Sequence, residues 1–212
     1  RLGHFVRRDW IASERMVDAY DAKADALAVV GSFGIPRVRI SITRDAPGWY
    51  HPGRSGTLKL GPKNVLGYFG ELHPSVLAAF DLTAPVVGFE VFLKNVPVPK
   101  VKASKARPTP EGSDLPAVAR DFAFLVPDEV SAEKLLRAVQ SLSGKDATKT
   151  IFTEVVLFDV YAGDGVPEGT KSMAFSVTMQ PLTSTLTEDD IQRISKAIIA
   201  KVTKSTGGEL RS

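Results

Sequence analysis

Residues 157–180, LFDVYAGDGVPEGTKSMAFSVTMQ, decide how the second half of this chain folds. From Lys171 to Gln180, Met173, Phe175, Val177 and Met179 alternate with Ser172, Ala174, Ser176 and Thr178, which predicts a strand with one dry face. A slip of one residue would exchange the two faces, so the pattern specifies its own orientation. The apolar set meets a core, and the small polar set looks outward from a flat surface. Gly163 to Gly169 reads as a turn and residues 154–161 as a partner strand. On strict alternation that partner carries Val156, Phe158 and Val160 on one face and Val155, Leu157, Asp159 and Tyr161 on the other. Hydrophobicity alone leaves either set as the core side.

Working outward, Arg120 to Val126 is a further strand. Ser131 is placed to cap a helix running through Leu142, with Leu135, Leu136, Val139 and Leu142 as its apolar stripe and Gly144 beyond its end. Thr187 caps a second helix, with Asp190 three residues on as a short relative of the capping box. Ile191, Ile194, Ile198 and Val202 form its stripe, and Gly207-Gly208 release the chain into a last short strand at Glu209 to Arg211. The resulting β-α-β-β-α-β order predicts a ferredoxin-like fold, in which four antiparallel strands hold both helices on one face. The other face is left open.

Upstream of this module, VPVPKVKASKARPTPEGSDLP at 96–116 carries five prolines, which deny it helix and interior strand, while Lys100, Lys102, Lys105 and Arg107 keep it solvated. It reads as a surface linker at 96–115, and alternatively as a basic strap beside an RNA backbone. Before it, Asp18 to Phe33 has helical spacing with Ala22, Ala26, Val29 and Val30 near one face. Arg37 to Thr43 alternates as a half-buried strand. Thr57–Leu60 and Val65–Phe69 flank Gly61-Pro62-Lys63-Asn64 as a hairpin, Pro74 to Phe80 is a short helix, and Val86 to Leu93 is a strand. Three regions follow: 1–95, the linker 96–115, and the module 116–212. The fold class is α+β.

The chain has 212 residues, 43% hydrophobic and 24% charged, in the range of ordinary globular proteins. No apolar run has the length of a membrane span, and the absence of cysteine removes disulfides and thiolate metal sites. These features fit a cytoplasmic protein, and Arg1 at the start leads us to expect a piece of something longer. Net charge is +3, distributed unevenly: residues 116–212 hold 11 Lys and Arg against 13 Asp and Glu, and residues 1–115 hold 16 against 11. If the module binds nucleic acid, it does so by shape, stacking and a few placed groups rather than by a broad basic surface.

No chemistry-bearing constellation appears. His4, His51 and His73 lack partners at metal-ligand spacing, there is no GxxxxGK[ST] loop or GxGxxG fingerprint, and Ser55 in GRSG sits in no GxSxG elbow. Glu188-Asp189-Asp190 opens a helix, where carboxylates favour the dipole.

The strings PAVARDFAFLV, LFDVY, GTKSMAFSV, LTEDDI and GGELR, in this order and spacing, resemble the anticodon-binding domain of the bacterial phenylalanyl-tRNA synthetase β-subunit family. DAYDAKADALAVVGSFGIP, RDAPGWYHPGRSGTLKLG and YFGELHPSVLAAFDL resemble the end of the catalytic-like core of the same family, so the likeness runs through nearly the whole chain. It implies that residues 1–95 are the last part of a class II synthetase-like, antiparallel-sheet core without an active site. It also implies that Asp159 and Tyr161 face outward beside Ser172, on the surface that receives the anticodon. The phenylalanine anticodon opens with guanine. Tyr161 offers that base a ring, Asp159 an acceptor for its N–H donors, Ser172 a hydroxyl, Ala123 room for close approach, and Arg211 a positive charge or a stacking plane. Taken singly, Asp159 equally suits a strand end at a turn, Tyr161 a half-buried rim, and Arg211 a solubilising tail.

The family further implies a non-catalytic share in phenylalanine–tRNA ligase. The partners would be the phenylalanine tRNA and an α subunit, in an (αβ)₂ holoenzyme that uses ATP and magnesium. This portion would be inactive alone, with no cofactor or metal of its own, because the family's β-subunit magnesium ligands fall upstream of Arg1. The readings from other classes are a small-molecule-sensing ferredoxin-like regulatory domain and a purely structural assembly domain.

Overall fold

The computed structural model describes residues 1–11, 13–98, 113–145 and 150–211. The chain divides into two compact units, Arg1–Lys105 and Ala106–Ser212. Most of the predicted linker, residues 99–112, lies outside the described residues.

In the first unit, β1 (His4–Val6) pairs antiparallel with β2 (Arg15–Met16). Helix α1 (Ala19–Ser32) starts at Asp18, whose carboxylate accepts from the backbone N–H groups of Tyr20 and Asp21, while Asp21 reaches back to the Asp18 N–H at 2.9 Å. Arg15 binds both carboxylates and holds that of Asp21 below its usual range. Ala22, Ala26 and Val30 form the buried stripe; such small residues let α1 lie close on the sheet. Val29, predicted with them, is half-buried.

That sheet is antiparallel, with β3 (Ile40–Thr43), β4 (Tyr50–Leu60), β5 (Asn64–Leu72) and β6 (Val87–Val91) in spatial order. α1 packs on β5 and β6, and Leu58, Leu66, Phe69 and Val87 close the core. The strand predicted over Arg37–Thr43 is only its second half. Pro36 opens a single 3₁₀ turn at Arg37–Arg39, closed by the Arg39 N–H donating to the Pro36 carbonyl at 2.9 Å, and Val38 is left exposed. β4 and β5 outrun the predicted hairpin because pairing resumes at Tyr50 with Leu72 after a register jump through the HPGR segment. Helix α2 (Pro74–Ala79) has proline at its first position and His73 as its cap.

The second unit has the predicted β-α-β-β-α-β order: β7 (Val118–Pro127), α3 (Ala132–Gln140), β8 (Ile151–Tyr161), β9 (Thr170–Gln180), α4 (Glu188–Thr206) and β10 (Glu209–Leu210). The strands lie in the order β10-β7-β9-β8, all antiparallel. Phe122, Phe124 and Val126 of β7 and Met173, Phe175, Val177 and Met179 of β9 face the helices. There they meet Leu135 and Val139 of α3 and Ile191, Ile194, Ile198 and Val202 of α4. The Phe175 ring stacks with Phe122 at 5.5 Å and Phe124 at 5.9 Å. Gly207, at φ 73°, ends α4 in the left-handed conformation that glycine accepts without strain.

β8 departs from the predicted alternation. Two bulges interrupt its pairing with β9, one between Phe152 and Glu154 and one between Leu157 and Asp159. Leu157 lies opposite Phe175 and Asp159 opposite Ala174, so Phe158 is an extra residue in the second step. Val155 and Leu157 therefore pack on the core, whereas Asp159 and Tyr161 take the opposite face. Strict alternation had put all four together; the bulge separates them.

Two measurements test this architecture. Leu157→Ala should lower unfolding stability by about 1–2 kcal/mol, since its side chain is partly buried, whereas Val156→Ala should stay within about 0.5 kcal/mol; denaturant melts with the reverse ranking would restore strict alternation. Thr187 donates to and caps with Asp190, whose carboxylate is held below its usual range by the Thr187 hydroxyl, then its N–H, with Arg193 adding to the effect. A depressed folded-state value means stability that is present above the ordinary carboxylate range and lost as pH falls below about 4. Thr187→Ala should cost about 1 kcal/mol at neutral pH, and stability curves of the two proteins should converge as the pH is lowered.

Candidate nucleic-acid interface

The open face of the second unit is organised in rows, because directly paired residues on antiparallel strands share a side. One row runs Arg211–Ala123–Ala174–Asp159: Ala123 pairs with Ala174 and Ala174 with Asp159, while the Arg211 N–H donates to the Ala123 carbonyl at 2.8 Å. The next row runs Glu209–Leu125–Ser172–Tyr161. All five residues singled out in the sequence thus fall on two adjacent rows of one face. The alanines leave its centre flat, with a guanidinium at one end of the first row and a carboxylate at the other.

Tyr161 is 42% exposed and is not a free rotor. Its hydroxyl donates to the Asp164 carbonyl at 3.2 Å, and its ring lies against Gly163, where a Cβ would stand 2.9 Å from the phenolic oxygen. A side chain at 163 would push the ring away. The loop beneath is braced by the Val166 N–H to the Gly163 carbonyl, 3.0 Å, and by the Thr170 hydroxyl to the Pro167 carbonyl, 2.6 Å. Ser172 is only 5% exposed, so it forms part of the floor between Leu125 and Tyr161 rather than a projecting group. Asp159 and Arg211 are exposed.

Further side chains share this face that were not singled out by sequence, among them Asp121 and Val156, which flank Ser176 in a third row, and Glu154, opposite Thr178. Asp121 was legible, since Phe122, Phe124 and Val126 point inward and force Asp121, Ala123 and Leu125 outward. Val156 was not, because its side depends on the bulges. The face carries more carboxylates than cations, in line with the acidic balance of residues 116–212.

Among the described residues, no group of three or more His, Asp or Glu is arranged to hold a metal, and no helix is long and apolar enough to cross a membrane. The histidines have local partners: His4 pairs with Glu14, His51 accepts from the Gly53 N–H at 3.1 Å, and His73 caps α2.

Residues 113–211 match the family described as ferredoxin-fold anticodon binding domain, and residues 2–93 match the phenylalanyl tRNA synthetase beta chain CLM domain. The chain is similar over its full length to the phenylalanine–tRNA ligase beta subunits of Paramagnetospirillum magneticum, at 46% identity, and Rhodospirillum rubrum, at 45%. It is 46% identical to that of Bradyrhizobium diazoefficiens over 97% of its length. It spans about a quarter of these relatives, 26%, 26% and 25% of their lengths. The regulatory-sensor reading finds no counterpart among these matches. With one family match on each compact unit and whole-chain identity near 45%, the chain belongs to the phenylalanyl-tRNA synthetase β-chain family and carries its ferredoxin-fold anticodon-binding domain.

Proposed function

We propose that the open sheet face of the second unit binds the anticodon of the phenylalanine tRNA, as the non-catalytic contribution of this chain to phenylalanine–tRNA ligase. The observation that carries this reading is the two-row array, in which a braced aromatic ring, an exposed carboxylate and a guanidinium surround a flat alanine centre. Tyr161 stacks the first anticodon base, guanine. Asp159 accepts from that base's Watson–Crick N–H groups, and Ser172 closes the floor under it. Ala123 admits the base closely, and Arg211 meets a phosphate at the far edge.

The first unit, in this reading, is the closing part of a class II synthetase-like core that has no chemistry and supports assembly. Its partner would be an α subunit that holds the active site and uses ATP and magnesium, in an (αβ)₂ enzyme of the cytoplasm. The CLM-domain match and the antiparallel sheet support this assignment. The chain itself binds no cofactor.

The test is binding of phenylalanine anticodon stem-loops to the assembled ligase. Tyr161→Ala should weaken binding by about 1–3 kcal/mol, a factor of roughly 5–150. Asp159→Ala should erase most of the preference for guanine over adenine at the first position, about tenfold or more. Arg211→Ala should reduce the slope of log K against log salt by about 0.7, the value for one contact to a single strand. Wild-type affinity and selectivity in all three variants would remove the reading.

A further inference from the structure

In the sheet of the first unit, Leu58, Phe69 and Val91 pack on the core beneath α1, so the residues alternating with them, Thr57, Tyr68 and Glu90, form a row on the opposite face. Two donors converge there on Glu90: the Trp49 indole N–H and the Tyr50 hydroxyl both donate to its Oε1, each at 3.1 Å. Tyr50 is 4% exposed, and burial, then the Glu90 charge, raise its phenol above the ordinary range, so it stays a donor. These two bonds occupy both lone pairs of Oε1. Among the described residues no donor reaches Oε2 and no cation pairs with Glu90, although Glu71 and Asp45 in the same unit are matched by Arg54 and Lys59. The surroundings are aromatic on one side and bare on the other. Tyr68 stands directly opposite the exposed Glu90, and Trp49 is 50% exposed. One row further along the strands, about 7 Å away, Gly70 pairs with Gly88, and a Cβ at Gly88 would meet no atom within 4 Å.

We propose that Glu90 anchors a cation site that takes a primary ammonium group carried on an apolar stem. The site lies in the first unit and is independent of the anticodon reading. The lone-pair count selects the cation. A guanidinium grips a carboxylate best through both oxygens, and Oε1 is already taken; an ammonium needs one acceptor and donates to Oε2. Trp49 and Tyr68 supply aromatic rings that favour a positive charge beside them. The stem lies across the gap at Gly88. The ammonium belongs either to a free amine or to a lysine side chain of a protein assembled with this unit.

The experiment titrates the chain with n-butylammonium and, separately, with n-butylguanidinium, and reads the indole N–H resonances of its two tryptophans, Trp10 and Trp49, which Trp10→Phe tells apart. Butylammonium should shift the Trp49 resonance saturably, at lower concentration than butylguanidinium does, and leave that of Trp10 in place. Glu90→Gln removes the charge and keeps the shape, and it should raise the midpoint about tenfold or more. Gly88→Leu fills the gap without touching the carboxylate and should weaken binding too, with thermal melts of both variants as the folding control. No saturable shift, a stronger response to butylguanidinium, or a wild-type midpoint in either variant would overturn the site. Equilibrium dialysis of butylammonium against the assembled ligase then separates the two sources. Binding that Glu90→Gln abolishes in the ligase identifies a free amine. Binding by the chain but by neither form of the ligase identifies a lysine already seated on Glu90.

Discussion

A sheet that carries both its helices on one side has a single dry face, and every strand must present its apolar residues to that side. Around this constraint the second unit is built. β9 meets it by unbroken alternation, and β7 does the same with Phe122, Phe124 and Val126. β8 cannot, because its sequence places apolar side chains at 155, 156, 157 and 158 in succession. The extra residue at Phe158 is the solution: it gives Val155 and Leu157 to the helices and then turns Asp159 and Tyr161 to the wet face. Bulges also raise local twist and re-aim side chains, so the feature that completes the core also forms the candidate site.

The first unit obeys a different constraint. α1 offers the sheet two alanines and a valine, and the resulting close approach leaves larger residues on β4, β5 and β6 to supply the bulk of the core. Its entry is fixed by charge-assisted capping, with Arg15 clamped on the Asp18–Asp21 pair. The stability of this unit thus depends on strand residues far apart in sequence, while the helix contributes shape more than buried area.

What could be read from sequence divides along these lines. The caps at Ser131 and Thr187, the stripe of α4 and the faces of β9 were legible, since each rests on local chemistry or an unbroken period, whereas the capping box at Asp18 emerged only from the structure. The 3₁₀ turn at Arg37–Arg39 was not, because Val38, Ile40 and Ile42 keep a strand-like alternation while Pro36 dictates a turn. The faces of β8 were out of reach for the same reason in reverse: a period of two carries no mark of where an extra residue is inserted. Asp159 and Tyr161 were assigned outward only through family resemblance. The register puts them there by a route that also moves Val155 and Leu157 inward.

The hydrogen bond from the Tyr161 hydroxyl to the Asp164 carbonyl, with the ring laid over Gly163, has a kinetic meaning as well as a geometric one. An exposed tyrosine ordinarily surrenders rotamer freedom when something stacks on it, a cost of about 0.5–1.5 kcal/mol for an immobilised side chain. Here that freedom is removed when the chain folds, before any ligand arrives. In the proposed binding mode a planar partner would meet a ring already held in place, so encounters would convert to complexes without waiting for it to turn, and the glycine at 163 leaves room for the ring.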